Sequence, residues 1–225
     1  MTPLERLNRR IVACRLCPRL VAHREQVARE KVRRFKDWQY WGRPLAGFGD
    51  PNARLWVVGL APAAHGGNRT GRIFTGDRSG DWLYAALHRA GFANQPSSLA
   101  RDDGLRLRDA YVSAVVRCAP PDNKPTIDER DRCAPYFAEE MRLLERVRVF
   151  VALGGFAFTN VLRALRNAGE MPRFAPKFGH GVVLETGSGR VVVGCYHPSQ
   201  QNTFTGRLTE KMLEDVFRLA KDRLA

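Results

Sequence analysis

Long apolar segments are absent from this sequence. None of its 225 residues lies in an apolar run that approaches the roughly 20 residues a membrane-spanning helix needs. The first residues, MTPLERLNRRIVAC, alternate charged and apolar side chains and lack the apolar core of a signal peptide. We therefore expect a cytoplasmic protein with no membrane partner.

Two common nucleotide-binding signatures are also missing. The chain contains no G-x-x-x-x-G-K-[ST] motif and no G-x-G-x-x-G after a predicted strand. Internal repeats, low-complexity tracts and linker-like segments are absent as well. The length suits one well-buried core, so we expect a single domain over residues 1–225.

Acidic residues are few compared with basic ones. The chain has 37 Lys and Arg against 23 Asp and Glu, which gives a net charge of +14. Such an excess favours a polyanionic partner, and nucleic acid is the commonest one. Most of the excess is arginine, which suits phosphate contacts and base stacking. The alternative interpretation is a generally basic protein with no such partner.

Apolar runs predict four clear strands, at residues 54–59, 110–116, 147–153 and 190–195, and a further β-rich stretch at 181–185. Helices are predicted at 4–13, 18–34, 81–90, 127–146, 155–167 and 205–223. Alternating strands and helices favour a parallel sheet covered on both faces. We expect an α/β fold, a three-layer sandwich with a central, mostly parallel four-stranded sheet and an N-terminal helical segment.

The most informative stretch follows the first strand. Residues 59–80, GLAPAAHGGNRTGRIFTGDRSG, contain six glycines and lead into a predicted helix. This layout is usual for a ligand site at the carboxyl end of a strand, where glycines let the backbone approach a ligand. Similar turns in α/β folds also occur without a ligand. A phosphate-binding loop of a small-molecule enzyme is a further alternative.

Cysteines are scarce, but four of the five have suggestive spacing. Cys14 and Cys17 form a C-x-x-C pair, and Cys118 and Cys133 follow far along the chain. Four thiolates suit a structural zinc or a [4Fe–4S] cluster, and spacing does not separate the two metals. Either would staple the N-terminal helices to the core. Four unrelated thiols are the alternative, and Cys195 is interpreted as a buried small hydrophobe.

Several short motifs occur in a defined order. They are Gly59-Leu60-Ala61-Pro62-Ala63, the segments NRTGR and FTGD, the four cysteines, DWQYWGRPLAGFGD at 37–50, and His197-Pro198-Ser199. Together they resemble family 5 of the uracil-DNA glycosylase superfamily over nearly the whole chain.

That resemblance implies a central parallel sheet and a structural [4Fe–4S] cluster on Cys14, Cys17, Cys118 and Cys133. It also implies excision of uracil, and of other deaminated bases such as hypoxanthine, from DNA. No lysine falls in the motifs, so we expect a monofunctional DNA N-glycosylase that leaves an abasic site. A monomer is the default. A non-catalytic nucleic-acid-binding module with a structural four-cysteine metal site is the competing hypothesis.

Base excision needs a pocket for a flipped nucleotide and donors for the leaving base. Phe74 is the candidate stacking face, His197 the candidate donor toward O2, and Asp77 the candidate group near the sugar. Asp77 would orient water or stabilise the cation, although it is equally suited to cap the following helix. The predicted base-binding residues are Leu60, Ala61, Ala63, Phe74, Asn123 and His197.

Two departures from superfamily relatives bear on this site. Many relatives carry a polar side chain at the position of Leu60. A leucine there agrees with family 5, but it removes the usual water-activating group. Some relatives read uracil with an Asn where Ala114 stands, so Asn123 is the candidate replacement. Such a pocket favours a broader choice of bases.

The remaining candidates would contact the duplex. A polar loop after His197 is expected to fill the vacated space, and four arginines are expected to contact phosphates. These residues are Ser199, Gln200, Gln201 and Asn202 in the loop, and Arg69, Arg72, Arg78 and Arg207.

Overall fold

The computed structural model describes residues 1–172 and 174–225. Its helices are α1 (Pro3–Val12), α2 (Pro18–Glu30), α3 (Gly67–Thr70), α4 (Arg78–Arg89), α5 (Ile127–Leu143), α6 (Gly155–Asn167), α7 (Gln200–Phe204) and α8 (Glu210–Asp222). Its strands are β1 (Phe48–Gly49), β2 (Leu55–Gly59), β3 (Ala110–Ala114), β4 (Val149–Leu153), β5 (Val183–Glu185) and β6 (Val191–Cys195). None of the helices in these described ranges is long and apolar enough to cross a membrane.

The sheet has the strand order β1-β3-β2-β4-β6-β5. Strands β3, β2, β4 and β6 pair in parallel, while β1 and β5 pair antiparallel at the two edges. The predicted four-stranded sheet is therefore wrong in its strand count, although the four central strands are those predicted. Strand β5 lies within the β-rich stretch predicted at 181–185, whereas β1 was not predicted, because two residues are too few for a periodic pattern.

Both faces of the sheet are buried, as the near-continuous apolar strands require. Trp56 and Phe150 face a core completed by α5 and α6, whereas Val57 and Val151 face a second core completed by α4 and α8. The Trp56 ring stacks on Phe137, with centroids 4.8 Å apart. The predicted three-layer α/β arrangement is thus confirmed. Cys195 lies fully buried in the second core, as expected.

Helix ends follow local capping chemistry. Helix α6 spans the predicted residues, and α5 begins where the Thr126 side chain caps it and ends three residues earlier than predicted. Helix α2 ends at Glu30, four residues before its predicted end, and α4 begins at Arg78, three residues before its predicted start. The predicted helix over 205–223 is wrong at its start, because Gly206 adopts a positive φ of 69° between α7 and α8.

A buried ion pair ties α5 to the sheet. The Glu140 carboxylate is fully buried and accepts hydrogen bonds from Tyr111 Oη at 3.0 Å and Ser113 Oγ at 2.8 Å. Both terminal nitrogens of Arg117, itself 2% exposed, also donate to it. All the acceptor capacity of the carboxylate is therefore engaged on the layer that carries Cys118 and Cys133.

We predict that Glu140→Gln lowers the free energy of unfolding by about 3 kcal/mol, because it leaves the buried Arg117 cation without a counter-charge. The neighbouring Glu139→Gln removes an exposed pair with Arg10 and should leave the free energy of unfolding nearly unchanged. Urea denaturation of both variants measures the difference. Equal losses of unfolding free energy would show that burial does not make the Glu140–Arg117 pair more important than the exposed pair.

Candidate active site

A cleft of about 540 Å³ opens at the carboxyl ends of the parallel strands. Residues after β2, after β3, before α4 and after β6 converge on it. Its lining comprises Leu60, Ala61, Pro62, Ala63, Ile73, Phe74, Asp77, Arg78, Ser79, Asp122, Asn123, His197, Ser199, Gln200 and Gln201. The structure therefore brings the predicted base-binding and catalytic candidates together in one place.

Phe74 forms an aromatic wall of this cleft and also belongs to the core beneath it. Its ring lies against the end of β2, where a Cβ on Gly59 would be 2.6 Å from the ring. The Phe74 backbone has a φ of 51°, and a Cβ on Gly80 would be 2.0 Å from the Phe74 carbonyl oxygen. Two glycines thus permit a conformation that is rare for an aromatic residue.

The two carboxylate oxygens of Asp77 have different surroundings. Its Oδ1 accepts a hydrogen bond from the backbone N–H of Gly80 at 3.0 Å and so caps α4, which is the alternative role that the sequence suggested. Its Oδ2 lies directly over Gly66, where an added Cβ would be only 1.9 Å away. Burial raises the pKa of Asp77, and the N–H groups of Gly80 and Ser79 partly oppose that shift. The carboxylate therefore faces the cleft in a weakly hydrated setting.

His197 lines the same cleft beside Phe74, two residues after β6. Its ring centroid is 5.7 Å from that of Phe74, with 33° between the planes. Burial lowers the pKa of His197 to about 4, so the imidazole is neutral at pH 7. Its backbone carbonyl accepts the Asn202 side-chain amide at 2.8 Å, which fixes the turn that positions the ring. A neutral imidazole donates from one ring nitrogen only.

Asn123 enters the cleft beside Asp122, from the turn between β3 and α5. Both residues have left-handed backbones, with φ of 56° and 53°. Asn and Asp tolerate this conformation better than other non-glycine residues. Sequence reasoning missed Asp122, and it also missed Pro62, Ile73 and Ser79. The proline-flanked PPDNKP stretch was the available signal for Asp122.

Two of the four predicted phosphate contacts are internal. Arg69 and Arg72 are only 3% and 4% exposed. Arg69 donates to the His65 and Gly76 carbonyls at 2.7 Å, and Arg72 pairs with Asp103 at 2.7 Å. Their guanidinium groups hold the glycine-rich loop in shape and are not available to DNA. Predicting these two arginines as phosphate contacts was a mistake, because charge in a loop does not reveal burial.

The other duplex-facing candidates lie at or near the rim. Arg78 is exposed and lines the cleft, whereas Arg207 is exposed and stacks over the Tyr196 ring. The predicted loop after His197 contains helix α7. Three of its predicted residues, Ser199, Gln200 and Gln201, line the cleft, while Asn202 holds the His197 carbonyl instead.

The four predicted metal ligands come together away from the cleft. Cys14, Cys17, Cys118 and Cys133 line one small enclosed cavity between the N-terminal helices and α5. Within residues 1–172 and 174–225, however, no set of three or more His, Cys, Asp or Glu side chains is arranged to hold a metal ion. The stapling cluster thus stays a prediction.

The chemistry around these thiols suits a cluster with negatively charged sulfur ligands. Arg24, 2% exposed, donates to Cys118 Sγ at 2.9 Å and to the Cys14 carbonyl at 3.2 Å. Arg117 also lines the cavity. The Nε atoms of both arginines are buried without a hydrogen-bond partner. The buried Arg24 cation and two spare N–H donors beside four thiols fit a site that gains negative charge.

The architecture and the cleft define a class of protein. The family model described as the uracil DNA glycosylase superfamily matches residues 46–221. The chain belongs to this superfamily, as its motifs indicated.

The chain is also similar to individual members of this superfamily. The chain is 58% identical over 216 residues to a type-5 uracil-DNA glycosylase of Mycobacterium bovis, covering 96% of this chain and 80% of the relative. A type-5 uracil-DNA glycosylase of Thermus thermophilus is 52% identical, with 96% and 95% covered. A type-4 uracil-DNA glycosylase of Thermotoga maritima is 27% identical, with 76% and 79% covered. The similarity to the type-5 enzymes spans nearly the full chain.

We predict that the His197 imidazole stays neutral between about pH 5 and pH 8, because its pKa is lowered to about 4. An unfolded histidine binds a proton near its ordinary pKa of about 6.5, so acidification from there toward pH 4 should also lower the free energy of unfolding. NMR titration of the ring protons, assigned with His197→Asn, measures the pKa. A midpoint near 6.5 would contradict the buried, neutral assignment.

Proposed function

We propose that this protein removes uracil, and other deaminated bases such as hypoxanthine, from DNA. It would hydrolyse the N-glycosidic bond and leave an abasic site. One observation carries the proposal: Phe74, Asp77, Asn123 and His197 meet in a single cleft large enough for a flipped base. The names of the type-5 uracil-DNA glycosylases that the chain resembles support the removal of uracil.

In this proposal the flipped base stacks on the Phe74 ring and presents its oxygens to fixed donors. The neutral His197 imidazole donates toward O2, and backbone N–H groups after Gly59 serve the remaining oxygen. Negative charge develops on the base as the bond to C1′ breaks. Preformed donors in a weakly hydrated cleft stabilise that charge most strongly. Asn123 would read the base edge, because Ala114 offers no amide.

The ionised Asp77 carboxylate is proposed to act on the sugar side. Water adds to C1′, the bonding electron pair leaves with the base, and the proton lost by water passes to Asp77 or to solvent. The carboxylate also offsets the positive charge on the sugar. Its raised pKa makes it a stronger base than an exposed aspartate. No step requires a metal.

We predict that Asp77→Asn lowers the rate of uracil release by about 100-fold or more. The rate in the wild type should fall on acidification with a midpoint above 3.8, because the pKa of Asp77 is raised and only the ionised form acts. Release from a labelled duplex with one uracil, followed by alkali to cut abasic sites, measures both.

Asp81→Asn serves as the matched control for the rate, because it removes a carboxylate from the first turn of the same helix outside the cleft lining. It should lower the midpoint of the pH dependence, since the Asp81 charge contributes to the raised pKa of Asp77. Gly66→Ala should resemble Asp77→Asn, since the added Cβ displaces Oδ2. Full activity in Asp77→Asn would remove this residue from the mechanism. Tight DNA binding by a wild type that releases neither uracil nor hypoxanthine would favour the non-catalytic binding module.

We further propose that Cys14, Cys17, Cys118 and Cys133 hold a [4Fe–4S] cluster that is structural. The shared cavity and the two buried arginines support this assignment. When bound, the cluster would supply a cross-link between the N-terminal helices, the segment after β3 and α5. The protein would act as a cytoplasmic monomer.

We predict that protein purified without oxygen is brown and carries about four irons per chain, as a [4Fe–4S] cluster requires. Cys133→Ala should lose the colour and most of the iron, while Cys195→Ala, a buried thiol in the other core, should keep both. Colourless protein that contains one zinc per chain would show that the site holds zinc and not an iron–sulfur cluster. Stable protein without metal would show that the four thiols are unrelated.

A further inference from the structure

One large apolar side chain is exposed on the short helix that borders the cleft. Phe204 ends helix α7 and is 68% exposed to solvent. The same short helix contributes Gln200 and Gln201 to the cleft lining. An exposed aromatic ring beside a site for a large ligand marks a contact surface rather than a folding element.

The backbone under Phe204 is firmly held on both sides. Before it, Pro198 is buried, and both the Ser199 N–H and the Asn202 amide bond to the His197 carbonyl at 2.8 Å. After it, Leu208 is fully buried and its N–H bonds to the Asn202 carbonyl at 3.0 Å. The ring is therefore projected from a rigid turn whose position is linked to that of His197.

The ring is also held in place from the opposite wall. The Arg78 guanidinium lies 4.5 Å from the Phe204 ring centroid. Arg78 directly follows Asp77 at the start of α4, so this contact joins α4 to α7 across the rim of the cleft. A cation over one face orients the ring and leaves the other face open.

A base that leaves the duplex leaves a gap between its neighbours, and a flat apolar ring fills such a gap by stacking. Glutamine side chains stack poorly and lose water when they enter it. We propose that Phe204, rather than the polar residues 199–202, enters the base stack when the base is flipped. Arg78 holds the ring at the rim until the duplex binds, and the guanidinium then gives up its place on the ring to a neighbouring base. This inference rests on the proposed function, because it presupposes a flipped base in this cleft.

The test compares uracil release from a duplex and from the single-stranded form of the same oligonucleotide. A residue that replaces a missing base matters only where a stack exists. Phe204→Ala should therefore lower release from the duplex by about tenfold while changing release from the single strand by less than about twofold. Phe204→Trp should restore the duplex rate. Leu99→Ala, another exposed apolar side chain outside the cleft lining, serves as the control.

The outcomes separate the two proposals. A duplex-specific loss with rescue by tryptophan supports the stacking role. Equal losses on both substrates would make Phe204 part of the pocket structure, and no loss on either would exclude it; both results overturn the inference and leave base excision intact. A wild type inactive on both substrates would defeat the proposed function and this inference together.

Discussion

The contact between Phe74 and Gly59 determines the shape of the cleft. Strand β2 has to end without a side chain, because a Cβ there would meet the ring at 2.6 Å. The ring that occupies this space stands on a left-handed backbone, and the turn that follows brings Asp77 to the start of α4 three residues later. The aromatic wall, the carboxylate and the first turn of the helix all depend on one missing methyl group.

Elements with long, regular patterns were predictable from sequence. Helix α6 was predicted to the residue, since Gly154 and Gly155 mark its start and apolar spacing marks its face. The four central strands were evident as apolar runs. Strand β1 was not, because a pair such as Phe48–Gly49 has no period and pairs only through its register with β3. The break at Gly206 was missed because the apolar spacing of α8 was extended backward through it.

The candidate site was predictable where residue type carries the chemistry. Asp77, Phe74, Asn123 and His197 were each identified from the sequence, and they converge because parallel strands end at one edge of the sheet. Burial was not predictable in the same way. Arg72 finds Asp103 some thirty residues along the chain, a pairing that no local pattern encodes. A net charge of +14 therefore overstates the cations available to DNA, since several arginines serve the interior.

The glycines around Phe74 and Asp77 also have an evolutionary consequence. Side chains at Gly59, Gly66 and Gly80 would collide with the aromatic ring, the carboxylate or the backbone that connects them. This wall of the cleft therefore offers almost no room for adaptive variation. Drift in substrate range within such a scaffold has to arise at other lining positions, such as the exposed Gln200 and Gln201 of α7.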